Sequence, residues 1–188
     1  MSRFRVALSG DFRHPDGRLA FPDFDLSPLA DDPDVEITWV QPEDGVVPAA
    51  GLADTDALIL LVPRFDATSV PADGRLAVVA RFGVGYDSVD LDVCTEAGIA
   101  VCTAPDGVRR PVAVSILTFV LALSQKLLVK DRLTRRGPEG WARLGDVMGQ
   151  GLVGRTLGQL GMGSIGAEVF RIAAPLGMRF IAHDPHVD

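Results

Sequence analysis

The sequence predicts an α/β protein built on parallel β-sheet, and three observations lead to this class. Short runs of apolar and β-branched residues recur along the first hundred residues, with helical or turn-rich segments between them. Several of these runs are apolar without alternation, which is typical of strands that are buried on both faces. A glycine-rich turn later follows a further strand and opens a helix. These patterns together favour a helix-covered parallel sheet followed by a second α/β unit.

The first sheet is predicted from five apolar runs, and the connections between them have helical or turn character. Gly98 stands where the end of a helix favours glycine. Because such continuous runs leave no polar face, we expect this sheet to be covered on both sides. The predicted strands are residues 4–8, 35–40, 57–61, 77–81 and 99–102.

A long apolar helix is predicted in the middle of the chain. Residues 103–111 are turn-rich and predict a linker, and Pro111 suits the first position of a helix. Residues 112–129 leave little polar face, so this helix needs cover from other protein, such as a second subunit. The most apolar part of it, residues 112–123, is interrupted by Ser115 and Thr118 and is well short of the roughly 20 residues that cross a bilayer. We therefore expect no membrane partner.

The segment GMGSIG follows the predicted strand TLGQL directly and matches the pattern G-x-G-x-x-G. Its first glycine, Gly161, allows a tight turn, and its second, Gly163, lets a diphosphate approach bare backbone. The third, Gly166, allows close packing of helix on strand. The N–H groups near Ser164 and Ile165, at the positive end of the helix, are expected to face the phosphates.

An acidic residue completes this pattern. Asp184 closes the next predicted strand, twenty-three residues after Gly161. A carboxylate at about that distance can accept both hydroxyl protons of a ribose, and it repels a 2′-phosphate, which predicts NAD rather than NADP. Two alternatives remain: a strand-turn-helix that binds nothing, and an S-adenosylmethionine site, whose loop more often reads G-x-G-x-G.

Composition and charge exclude several other functions. The 18 basic and 25 acidic residues give a net charge of −7, which offers no general attraction to nucleic acid or anionic membranes. Two cysteines, Cys94 and Cys102, are too few for a disulfide scaffold. The first residues lack the continuous apolar region of a secretion signal. We therefore expect a cytoplasmic protein without nucleic-acid or membrane partners.

Other candidate groups carry weaker signals. His183, Asp184, His186 and Asp188 invite a metal site, but ligands this close together bind weakly unless a fold fixes them, and Asp184 has a stronger assignment. We expect no metal. Arg64 follows the third predicted strand, where open α/β sheets bind ligands, and is a weak candidate for a substrate carboxylate.

Two blocks of the sequence resemble the D-isomer-specific 2-hydroxyacid dehydrogenases. RFGVGYDSVDLDVCTEAGIAV is similar to the signature at the end of that family's substrate domain, and GLVGRTLGQLGMGSIG with AHDP is similar to its dinucleotide fingerprint. The resemblance implies a flavodoxin-like substrate lobe with a parallel sheet, here residues 1–105. It also implies that residues 106–188 hold the interlobe helix and the incomplete beginning of a Rossmann NAD-binding lobe.

The resemblance also implies a substrate site and a partner. Backbone amides of Gly83, Val84 and Gly85 would hold the carboxylate of a small 2-hydroxy or 2-keto acid, whose identity the sequence leaves open. The helix region 112–130 would form a homodimer. Where many members have Val-Ala-Glu-His, this chain has Val-Ala-Val-Ser at 112–115, so the contacts of that Glu and His are not expected.

In the family, the catalytic Arg, Glu and His come later in the sequence than the ribose-binding acid. We therefore expect no catalytic residue in this chain, which we interpret as a fragment of an NAD-dependent oxidoreductase that acts on the CH–OH group of a D-2-hydroxy acid. Two alternatives remain open. One is an NAD(H)-sensing, corepressor-like interaction protein of the same fold, and the other is a flavodoxin-like domain that binds no dinucleotide.

Overall fold

The computed structural model describes residues 3–187 and forms two compact units, Met1–Pro105 and Asp106–Asp188. The first unit has five strands: β1 (Phe4–Ser9), β2 (Val35–Val40), β3 (Ala57–Leu60), β4 (Val78–Arg81) and β5 (Ala100–Thr103). They form one sheet in the order β2-β1-β3-β4-β5, and all neighbours are parallel. This is the flavodoxin-like doubly wound order, which confirms the predicted fold class.

The helices of the first unit are short. Asp90 caps the second of them, because its carboxylate accepts the N–H groups of Asp92 and Val93, both at 3.1 Å. Gly98, just beyond the end of that helix, has φ +70°, a conformation that favours glycine. The helical elements are α1 (Ser27–Ala30), α2 (Leu91–Glu96) and the 3₁₀ turns Gly10–Phe12, Ala49–Leu52 and Ala67–Ser69.

The core of the first unit lies on both faces of the sheet. Alternate residues of β3 point to opposite sides, so that Leu58 belongs to the larger cluster and Ala57 to the smaller one. The larger cluster also contains Phe65, and the smaller one contains Phe12; both rings are fully buried. The centre of the sheet is therefore packed on two sides.

One edge of this sheet differs from the sequence prediction. On the face that carries the smaller cluster, Val78 and Ala80 of β4 are only half-buried, and Ala100 and Cys102 of β5 are exposed. The expected cover on both sides is therefore wrong for this edge of the unit. The reason is that α1 does not extend over β4 and β5. An apolar groove of about 310 Å³ therefore remains beside these two strands.

The second unit contains a long helix, two short helices and one β-α-β motif. Its helices are α3 (Pro105–Ser124), α4 (Leu127–Thr134), α5 (Pro138–Ala142) and α6 (Ser164–Ala173), with 3₁₀ turns at Leu144–Asp146 and Ala174–Leu176. Its strands, β6 (Thr156–Leu160) and β7 (Arg179–His183), pair in parallel from Thr156 opposite Arg179 to Leu160 opposite His183. The predicted strand-helix-strand order after residue 155 is present.

The start of α3 corrects the predicted linker. The helix begins at Pro105, and Pro111 lies inside it instead of at its first position. The prediction was wrong because both prolines suit a helix start, and the turn-rich composition between them favoured the later one. The helix ends at Ser124, and Lys126 adopts a left-handed conformation (φ 53°) before α4 begins. The predicted single helix is therefore two.

Helix α3 is also longer than expected from the apolar stretch. It has 20 residues. Among the described residues, it is the one helix that is long and apolar enough to cross a bilayer. Core helices of soluble proteins meet the same criterion. Near its start, Arg110 forms an ion pair at 2.6 Å with Glu168 of α6, which joins α3 to the β-α-β motif.

Candidate functional site

The turn after β6 depends on Gly161. Its φ of +89° lies in the left-handed region, which side chains disfavour. Its N–H donates to the carbonyl of His183 at 2.9 Å, which extends the pairing of β6 with β7 by one residue. The chain can therefore leave the strand sharply while it stays joined to the second strand.

Gly163 leaves open space at the head of α6. It stands just before the first residue of the helix, and a Cβ built on it would have no protein atom within 4 Å. Among residues 3–187, nothing accepts a hydrogen bond from the N–H groups of residues 163–166. Unpaired N–H groups at a helix N-terminus attract anions. The predicted residues Ser164 and Ile165 contribute two of these donors.

Gly166 allows the helix to lie close to the strand. A Cβ at this position would stand 2.5 Å from the carbonyl oxygen of Gly161 and would also overlap the side-chain amide of Gln159. That amide donates to the Gly161 carbonyl at 2.7 Å, so the side chain of Gln159 stabilises the turn. The third glycine of the pattern therefore has the packing role predicted for it.

The carboxylate of Asp184 is fixed against the glycine loop. It accepts the N–H of Met162 at 2.6 Å and the N–H of His186 at 2.9 Å. The bond from Met162, and then that from His186, hold the pKa of Asp184 below its usual range, so it is ionised at neutral pH. Sequence reasoning placed the acid near the loop but did not anticipate that it is bonded to the loop itself.

A cavity of about 600 Å³ lies along this loop within the second unit. Five of the six predicted cofactor residues border it, and Asp184 is joined to them through Met162. Apolar side chains of α3 form another part of its wall, Ile116 and Val120 among them. The residues that border the cavity on the loop are Gly161, Gly163, Ser164, Ile165 and Gly166.

An ion-paired, mostly covered carboxylate on α6 was not predicted. Glu168 of α6, whose side chain is 11% exposed, accepts bonds from Arg171 at 2.7 Å and from Arg110 at 2.6 Å. These two guanidinium groups, Arg171 first, lower the pKa of Glu168 to about 2. Arg110 and Glu168 are 58 residues apart, so no local pattern in the sequence could pair them.

The segment Gly83–Val84–Gly85 follows β4 in the first unit. Gly83 has φ +145°, and its N–H donates to the carbonyl of Arg81 at 2.8 Å, so this amide is used within the protein. The N–H groups of Val84 and Gly85 have no acceptor among the described residues. Two of the three predicted amides are therefore available to a carboxylate.

Arg64 lies beyond β3 and is exposed. It borders a cavity of about 240 Å³, but so do Asp66, Asp87 and Asp90, whose charges oppose the binding of an anion. Gly83, Val84 and Gly85 do not border this cavity. The structure does not bring Arg64 together with the three predicted amides.

The histidines do not belong to a metal site in the part of the chain that the structure describes. His14, His183 and His186 are all exposed. Within residues 3–187, no three His, Cys, Asp or Glu side chains are placed to share a metal ion, and Asp188 lies outside the described residues.

The site and fold together define an α/β protein with a dinucleotide-binding unit: a glycine turn, unpaired N–H groups at a helix head and an acid after the second strand. Residues 21–115 match the family model described as D-isomer specific 2-hydroxyacid dehydrogenase, catalytic domain, and residues 117–188 match that of its NAD binding domain. The chain belongs to the D-isomer specific 2-hydroxyacid dehydrogenase family.

Two relatives are about one-third identical to this chain over the aligned residues. The glyoxylate reductase of Thermococcus kodakarensis is 34% identical over an alignment of 173 residues that covers 86% of this chain and 50% of the relative. The D-3-phosphoglycerate dehydrogenase of Mycobacterium tuberculosis is 34% identical over 154 residues, 81% of this chain and 29% of the relative. The chain thus spans about half the length, or less, of these relatives.

Solved structures agree with the fold. A glyoxylate reductase from Paecilomyes thermophila has a TM-score of 0.72 at 25% identity, over 100% of this chain and 57% of that one. A 2-hydroxyacid dehydrogenase from Ketogulonicigenium vulgare also has a TM-score of 0.72 at 25% identity, over 100% of this chain and 56% of that one. Both likenesses run through the two units described above.

Proposed function

We propose that this chain is the N-terminal part of an NAD-dependent oxidoreductase that reduces a 2-keto acid to a D-2-hydroxy acid. The observation that carries the proposal is the set of unpaired N–H groups at residues 163–166 beside the carboxylate of Asp184. Family membership and the names of the relatives support the reaction class. The catalytic Arg, Glu and His would belong to the remainder of a longer protein.

The residues present have separate tasks toward the cofactor. NAD supplies, when bound, the carbon that gives or takes a hydride. The amides at the head of α6 bind the negative diphosphate, and the open space at Gly163 gives it room. Asp184 accepts the ribose hydroxyl groups through lone pairs that Met162 and His186 leave free. The cofactor-binding set is Gly161, Gly163, Ser164, Ile165, Gly166 and Asp184.

The first unit would orient the substrate. The unpaired N–H groups of Val84 and Gly85 suit the carboxylate of a small 2-keto acid, and the backbone of Gly83 sets their direction. Arg64 remains a weak candidate for the same task, because aspartates share its cavity. Reduction would also need a proton donor at the keto oxygen, which belongs to the remainder of the longer protein.

The proposal includes a homodimer that forms through the region 112–130. Phe119 is 67% and Leu123 is 76% exposed there, and monomeric proteins rarely expose apolar side chains to this extent on one helix.

The longer protein would be cytoplasmic and would not bind nucleic acid, which the net charge of −7 supports.

Fluorescence titration of the native-length protein with NADH tests the cofactor part of the proposed function. We expect Gly163→Val to abolish binding, because the new side chain fills the diphosphate space without touching protein. We expect Asp184→Asn to weaken NADH about tenfold, since a bond to a charged group is lost, and to reduce the preference for NADH over NADPH. Circular dichroism should show both variants folded.

The outcomes separate the proposal from its alternatives. Tight NADH binding by Gly163→Val would refute the assigned site. A native-length wild-type protein that binds no NADH would favour a domain of this fold without a cofactor. If the native-length protein bound NADH but reduced no 2-keto acid, the corepressor-like reading would replace the enzyme.

A further inference from the structure

A cavity of about 450 Å³ opens at the carboxyl-terminal edge of the first sheet, beside the residues that follow β1 and β3. From these two neighbouring strands the chain leaves in opposite directions, toward β2 and toward β4, and α/β sheets bind ligands at such a point. One charged residue, Asp11, borders the cavity. The other side chains on its wall are apolar: Ala20, Phe21, Pro42, Leu61, Val62 and Pro63.

The cavity lies next to the segment proposed to hold the substrate carboxylate. Phe82 directly precedes Gly83, and its N–H donates to the carbonyl of Leu60 at 2.8 Å. Leu60 is followed by Leu61 on the cavity wall. The ring of Phe82 is also 5.9 Å from the ring of Phe21, another wall residue. A small acid held by its carboxylate after β4 would therefore have this cavity within reach of its side chain.

Asp11 gives the cavity a fixed negative charge. One carboxylate oxygen accepts the N–H of Val62 at 2.9 Å. The other oxygen is buried and has no hydrogen-bond partner among the described residues. Asp11 forms no ion pair within residues 3–187. A second negative charge that entered this apolar space would be repelled strongly.

We propose that this cavity receives the side chain of the 2-keto acid and selects for uncharged, aliphatic side chains. Its apolar walls stabilise such a side chain by burial, and Asp11 excludes 2-keto acids that carry a second carboxylate or a phosphate. Asp11 is in this view a specificity-determining residue. The inference rests on the proposed function and adds the substrate class to it.

Steady-state kinetics of the native-length protein with NADH test the inference. The probes are 2-ketoisocaproate, which has a branched aliphatic side chain, glyoxylate, which has none, and 2-ketoglutarate, which has a second carboxylate. We expect kcat/KM for 2-ketoisocaproate to exceed that for glyoxylate by about tenfold or more, since each buried methylene is worth about that factor. We expect 2-ketoglutarate to be the poorest of the three.

Two variants and one control assign the effect to the cavity. Asp11→Asn should raise kcat/KM for 2-ketoglutarate relative to 2-ketoisocaproate by about tenfold. Val62→Trp, at a side chain that is 71% exposed, should fold and fill the cavity, and should lower kcat/KM for 2-ketoisocaproate more than for glyoxylate. Asp92→Asn removes an exposed carboxylate from α2, away from the cavity, and should change neither ratio.

The outcomes distinguish this inference from the function on which it rests. If no 2-keto acid is reduced, both the proposed function and the inference are wrong. If glyoxylate or 2-ketoglutarate is reduced best, the dehydrogenase stands and the substrate class is wrong. An unchanged ratio in Asp11→Asn overturns the role of Asp11, and Val62→Trp keeps the test decisive should Asp11→Asn not fold.

Discussion

Two carboxylates of the second unit have lowered pKa values for different reasons. Backbone N–H groups stabilise the charge of Asp184, whereas two guanidinium groups stabilise that of Glu168. The first arrangement leaves the carboxylate at the loop, where it can accept hydrogen bonds from a ligand. In the second arrangement the carboxylate of Glu168 binds guanidinium groups of α3 and α6, and so joins these two helices. Glu168 thus joins two helices, whereas Asp184 stays available to the proposed cofactor.

Glu168 makes the stability of the second unit depend on pH. Because its pKa is lowered from 4.5 to about 2 in the folded protein, its contribution is complete above pH 4.5 and is lost as the pH falls through about 2. We expect Glu168→Gln to destabilise the chain at pH 7 and to differ progressively less from wild type between pH 4.5 and pH 2. Urea unfolding across that range measures this difference.

Glu139→Gln is the matched control, because Glu139 is exposed and belongs to no ion pair within the described chain. It should leave the unfolding free energy unchanged at every pH. A difference between wild type and Glu168→Gln that persists undiminished to pH 2 would show that packing, and not charge, is the contribution of Glu168.

At the scale of elements, the β-α-β motif places the head of α6 at the end of β6. Helix α6 can lie close to its strand because Gly166 has no side chain. The N-terminus of α6 is accessible because Gly163 has no side chain either. Two glycines three residues apart therefore have separable effects. Gly166 governs the packing of the motif, and Gly163 leaves open the space that we propose for the cofactor.

We expect Gly166→Ala to destabilise the second unit by about 1–3 kcal/mol, because its Cβ would overlap the backbone of Gly161. Gly163→Ala is the matched variant, with the same added methyl group in open space and a change of stability within about 0.5 kcal/mol. Thermal unfolding compares the two. Equal losses of stability would mean that α6 does not pack on its strand as described.

The strands and the glycine loop could be predicted from the sequence, because each rests on residues that are neighbours in the chain. The predicted ends of the five strands of the first sheet differ from the observed ends by no more than about one residue, since β-branched runs mark these strands directly. The start of α3 could not be fixed, because Pro105 and Pro111 carry the same local signal. The bond of Asp184 to Met162 depends on the packing of distant segments.

At the scale of the whole molecule, large apolar surfaces remain uncovered. In the first unit these are residues of β4 and β5, and in the second they include Leu123 and Leu128. Monomeric proteins rarely expose surfaces of this kind, so we infer that further protein covers them. The proposed remainder of a longer protein and the proposed second subunit are the two sources of that cover.

The proposed homodimer can be tested at Leu128, whose side chain is 65% exposed on α4. We expect Leu128→Asp to convert a dimer to a monomer, because a buried unpaired charge at an interface is costly. Leu128→Met, which keeps the apolar contact, should leave the dimer intact. Analytical ultracentrifugation of the native-length protein measures the mass, and an unchanged mass for Leu128→Asp would exclude this helix from the contact.

The strand order of the first sheet bears on how the protein is made. β1 pairs with β2 on one side and with β3 on the other, and the last strand of the sheet ends at Thr103. All five strands are therefore available as soon as that residue leaves the ribosome, before the glycine loop has been translated. Because domains tend to fold as they emerge during synthesis, the first unit can form its sheet before the second is complete, while its apolar surface beside β4 and β5 is still exposed.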